Sequence, residues 1–90
     1  MSGDAPADPR GAWLLYEDYI VVRALRDLSQ WLEQHGRREN GVWVVTWKKR
    51  AGAPYVGRWE ILDELLCHGW IDGVRRQVDA ARTAQWASPR

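Results

Sequence analysis

Ninety residues with 13 Lys and Arg against 12 Asp and Glu, a net charge of +1, make one small domain. They lack the overall basic excess expected of a nucleic-acid protein, although a local patch stays compatible with that balance. A composition 46% hydrophobic and 28% charged is that of an ordinary globular domain and excludes extensive disorder. The single cysteine, Cys67, excludes an internal disulfide framework. No apolar run approaches the roughly 18 residues needed to cross a bilayer, so no membrane insertion is expected.

Residues 1–11, MSGDAPADPRG, hold two prolines and two glycines and lack both the basic and the apolar region of a signal peptide. They read as a disordered tail, and the expected location is cytoplasmic. Trp13–Val22 carries aromatic and β-branched residues on either side of Glu17-Asp18, and a short strand over Trp13–Tyr16 is the favoured reading. That strand would be followed by an early helix start capped by Asp18; the other reading is a strand on either side of Glu17-Asp18.

Arg23–His35 is a helix, because Leu25, Leu28, Trp31 and Leu32 recur at three- and four-residue spacing. Gly36 is placed to end it in a left-handed conformation. Val42–Lys48 is the clearest strand. Val42, Val44 and Thr46 share one side and Trp43, Val45 and Trp47 the other, so both sides need cover. Pro54 makes Ala51–Gly57 a loop or a short extended run. Arg58–His68 is a second helix with Ile61, Leu62, Leu65 and Leu66 inward; Gly69 is its left-handed stop, and Trp70 folds back on Leu65.

Ile71–Val78 is extended, with Asp72-Gly73 either a hairpin turn or a bend. An unbroken strand would put Trp70, Asp72, Val74, Arg76 and Val78 on one face. Asp79 is then available to cap a short third helix over Ala80–Trp86. The fold class that follows is α+β: a small antiparallel or mixed sheet packed against two main helices, in a single domain over residues 12–90.

The run LLCHGWIDG at 65–73 resembles the ALCFGWIDG segment of the YdeI/OmpD-associated family, also called bacteriocin-protection proteins. WLEQHG at 31–36, GVWVVTWKK at 41–49 and VRRQVDAARTAQWASPR at 74–90 are similar to further segments of that family. The resemblance implies a small binding or stress-protection domain linked to bacteriocin or peptide stress and to porin expression, and it supplies no catalytic residue set. Two departures stand out. His68 replaces the family's usual Phe, and the sequence stops after Pro89-Arg90, where members commonly continue into a further tail and helix.

Cys67 and His68 are adjacent, so on a helix they point about 100° apart and form no nucleophile–base pair. Cys67 reads as a small buried hydrophobe, and His68 as a titratable group at a helix end. Two histidines and one cysteine lack ligand spacing, so neither a metal nor a cofactor is expected. The basic residues Lys48, Lys49, Arg50, Arg58, Arg75, Arg76 and Arg90 sit at element ends, where a small fold can gather them.

The leading expectation is a non-enzymatic binding domain for an unidentified small molecule, peptide or protein. Its ligand surface would comprise Lys48, Lys49, Trp70, Asp72, Arg75 and Arg76. The first alternative is single-stranded nucleic-acid binding on a basic face with an exposed Trp. The second is an enzyme that moves protons between Asp72 and His68.

Overall fold

The computed structural model describes residues 12–52 and 54–90; the tail expected over residues 1–11 lies outside them. Four strands, β1 (Tyr19–Val21), β2 (Val42–Trp47), β3 (Trp70–Gln77) and β4 (Arg82–Pro89), form one mixed sheet in the order β1-β2-β4-β3. β1 runs parallel to β2, while β4 runs antiparallel to both β2 and β3. The connections are two main helices, α1 (Leu25–His35) between β1 and β2 and α2 (Arg58–Cys67) between β2 and β3. This is the expected α+β architecture. Neither helix is long and apolar enough to cross a membrane.

β2 is central and covered on both sides, as its sequence requires. Val42 and Val44 join Leu28 and Leu32 of α1, Ile61 and Leu65 of α2, and Trp70 in the helix-side core. Trp43 and Val45 pack on the opposite side with Leu14, Val78 and Ala84. That second core explains the first correction. Ala12–Tyr16 is a short 3-10 helix, not a strand, and it turns Leu14 inward to 3% exposure as a lid on the open side of the sheet. Asp18 starts no helix; its carboxylate pairs with Arg38 at 2.9 Å.

The second correction is at the end of the chain. Residues 82–89 form β4, the strand between β2 and β3, where a short helix was expected. Alanine is a good helix former, but propensity is a weak determinant and two flanking ladders override it. Asp79 does cap local backbone, but of a turn: its Oδ1 accepts from the Ala81 and Arg82 N–H groups at 2.9 and 2.7 Å. The same carboxylate holds the Arg82 guanidinium at 2.8 Å.

The helix ends differ. Gly69 has φ +77°, the left-handed stop expected after α2, and only glycine adopts it without strain. Gly36 has φ −66°, so it is not left-handed. Its requirement is steric, since a Cβ there would collide with the Leu32 carbonyl oxygen. The Gly36 carbonyl instead accepts the Trp70 indole N–H at 3.0 Å. Trp70 is fully buried and meets Trp31 edge to face, so it joins the end of α1 to the start of β3.

A cationic cleft as the candidate functional site

Strand register builds the site. On the helix side of the sheet, three rows cross β2, β4 and β3: Val42–Ala87–Asp72, Val44–Gln85–Arg75 and Thr46–Thr83–Gln77. The face thus changes from apolar to polar along its length. At the polar end lies a cleft of about 250 Å³. Lys48, Lys49, Arg58 and Arg75 line it, with Thr46, Thr83 and Tyr55 supplying hydroxyls and Val56 and Trp47 completing the wall.

Each cation arrives by a separate local device. Lys48 directly follows β2, its N–H donating to the Ala81 carbonyl at 2.8 Å, and the 3-10 turn Lys49–Ala51 then bends the chain away. Arg58 opens α2, whose first turn is held by the Glu60 carboxylate accepting the Gly57 N–H at 3.1 Å. Arg75 depends on an irregularity. Between Asp72 and Arg75, β3 contains one more residue than the facing stretch of β4. This is a bulge inside a continuous strand, not a hairpin turn at Asp72-Gly73, and it breaks the alternation that an unbroken strand would impose. Arg75 therefore faces the helix side along with Asp72.

Burial and the nearby Arg58 charge both lower the Arg75 pKa, since each disfavours the cationic form; Tyr55 and Asp72 oppose them. Asp72 does not touch Arg75. It accepts the Gln85 amide at 3.1 Å, and the Gln85 carbonyl oxygen faces Arg75 at 3.4 Å. Among the described residues, none of the four cleft cations is held in an ion pair. An oxyanion in the cleft would relieve the repulsion that the fold leaves standing.

The other expected ligand residues lie elsewhere. Arg76 is on the opposite side of the sheet, its guanidinium 4.2 Å from the Trp13 ring centre, so the bulge separates two neighbouring arginines. Trp70 has 0% exposure and can contact no ligand; it supports the architecture alone. His68 is bound to Glu64 at 3.1 Å, whereas Asp72 is bound to Gln85, so the two share no hydrogen bond. Cys67 is exposed, contrary to the buried reading, because it sits on the outer side of the last turn of α2. Among the described residues, no three His, Cys, Asp or Glu side chains are grouped to hold a metal ion.

Tyr55, Thr46, Thr83 and Gln85 were not singled out from sequence. The available signal was the change from Val to Thr along the inward side of β2; locating β4 would have supplied its counterpart. A second depression, about 440 Å³, is bordered by Tyr16, Glu17, Asp18, Asn40, Gly41 and Trp86. Its carboxylates are already engaged, Glu17 by the Trp43 indole at 3.1 Å and Asp18 by Arg38.

A family model described as a domain of unknown function (DUF8412) matches residues 20–90, and the chain belongs to that family. The match spans all of the sheet except Tyr19, both helices and every cleft residue. No curated protein and no solved structure matches the chain. These comparisons do not bear on the resemblance of residues 65–73 to the YdeI/OmpD-associated family.

Proposed function

We propose that this domain is a non-enzymatic binding module whose ligand is an anion held in the cleft between the end of β2, β3 and the start of α2. The observation that carries the reading is the convergence of Lys48, Lys49, Arg58 and Arg75 on one cleft of about 250 Å³. Guanidinium, ammonium and hydroxyl groups are the donors that hold phosphate and carboxylate oxygens. Cys67 and His68 sit at the far end of α2, nine and ten residues and roughly 14–15 Å of helix from Arg58, which supports binding over covalent chemistry. A stress-protection role of the YdeI-like kind and a cytoplasmic setting belong to the same proposal. They rest on the segment 65–73 and on the single cysteine.

The test is thermal unfolding of the purified protein with increasing pyrophosphate, against chloride at matched ionic strength. Binding to the native state at 100 times Kd stabilises by about 2.7 kcal/mol. At this chain length each kcal/mol raises Tm by roughly 4–8 °C. The expected result is such a rise, reduced by Lys48→Glu. Equal Tm values in the two salts would refute the reading.

A further inference from the structure

The cleft continues onto an aromatic surface that its cations alone do not explain. Of the seven tryptophans, six are at least partly packed, whereas Trp59 is 66% exposed. It follows Arg58 in the first turn of α2, and the Arg58 guanidinium lies 5.0 Å from the Trp59 ring centre while also lining the cleft. Tyr55, half-exposed, lines the cleft as well.

We infer that the ligand is a nucleoside polyphosphate, its phosphates among Lys48, Lys49, Arg58 and Arg75 and its base stacked on Trp59. This rests on the anion-binding reading above and narrows its ligand class. Three observations point the same way. A diphosphate carries about three negative charges near neutral pH, because its terminal group titrates near pH 6, and four cations meet that charge. A cleft of about 250 Å³ lies below the roughly 300–1,000 Å³ of pockets that enclose a whole small ligand. It houses a phosphate chain and leaves the base outside, where an exposed ring is waiting. The outer side of α2 beside Trp59 carries Glu60 and Asp63, both exposed. They repel a polynucleotide backbone that would have to continue past the ring, so a single nucleotide is favoured over a strand.

Isothermal titration of the full chain with ADP, pyrophosphate and a twelve-residue oligothymidylate separates the outcomes. Base–aromatic stacking strengthens binding roughly 5- to 150-fold, so ADP is expected to bind tighter than pyrophosphate by that factor. Trp59→Ala, at an exposed site, should bring the ADP affinity down to that of pyrophosphate, and Trp59→Tyr should restore most of the difference. Circular dichroism of each variant checks that the fold persists. Pyrophosphate and ADP binding equally would overturn this inference and leave the anion site standing. Failure of both to bind would overturn the anion reading as well. Oligothymidylate binding tighter than ADP, with affinity falling steeply in salt, would replace the nucleotide by a strand.

Discussion

On the helix side of the sheet, Val42, Ala87 and Trp70 lie beneath α1 and α2 at no more than 2% exposure, whereas Thr46, Thr83 and Arg75 border an open cleft on the same three strands. The first group is held by shape. Trp70 fills the gap between two helix ends and spends its one polar atom on a carbonyl. The second is held by a hydrogen-bond chain, Asp72 to Gln85 to Arg75, that ends on a charge in no ion pair among the described residues. One end of the face is built for stability, and the other sets the Arg58 and Arg75 charges near each other at an electrostatic cost.

The largest expected effect breaks the first group. Trp70→Ala empties a fully buried indole site and should cost about 3–5 kcal/mol, enough to unfold much of the population of a small domain. Urea denaturation measures it. Trp70→Phe, which keeps most of the ring but leaves the Gly36 carbonyl without its donor, should cost less. Equal loss in the two variants would mean that the hydrogen bond, not the packing, joins the helix ends.

Asp79 tests whether the turn feeding β4 carries comparable weight. Burial raises its pKa, but the Arg82 side chain and the Ala81 and Arg82 N–H groups outweigh that and hold it below the ordinary carboxylate value. A group depressed in the folded state stabilises fully above its unfolded pKa, near 3.9 for Asp. It loses that contribution as pH falls through the folded value. Asp79→Asn should therefore cost about 1–2 kcal/mol at pH 7. The gap from wild type should hold down to about pH 5 and narrow below pH 4. Thermal melts at pH 3, 5 and 7 follow it; a gap independent of pH would assign the effect to turn geometry alone.

The smallest effect has the opposite character. The lowered pKa of Arg75 means that the fold disfavours its charge, and a guanidinium remains cationic at neutral pH. Arg75→Gln should accordingly leave Tm in phosphate-free buffer unchanged or higher, within about 0.5 kcal/mol of wild type. It should also remove most of the rise that pyrophosphate produces. A clear loss of stability without ligand would return Arg75 to the structural part of the face.

How much of this was legible in the sequence follows from the range of the interactions involved. α1, β2, α2 and the Gly69 stop were readable because periodicity and a glycine after an apolar run are local signals. β4 was not, since RTAQWASP has little strand character of its own and is extended because β2 and β3 lie on either side of it. Ala12–Tyr16 misled for a related reason: its aromatic and apolar residues suit a strand, but their role is to cover a core assembled far along the chain. At the site, Lys48, Lys49 and Arg75 were named in advance from their positions at element ends, and they do meet. Arg76 and Trp70 were assigned to the same surface because neither the bulge nor the indole's burial could be read from residue types.

The additional residue in β3 has a consequence for how such a surface can change. Regularising the pairing between Asp72 and Arg75 at unchanged length would reverse the parity of everything downstream in the strand: Arg76 would enter the cleft and Arg75 would move to the Trp13 side. Charge can thus be transferred between the two sides of the molecule by a change of register alone, with no arginine gained or lost. Homologues of equal length that differ only in whether this segment bulges would present different ligand surfaces.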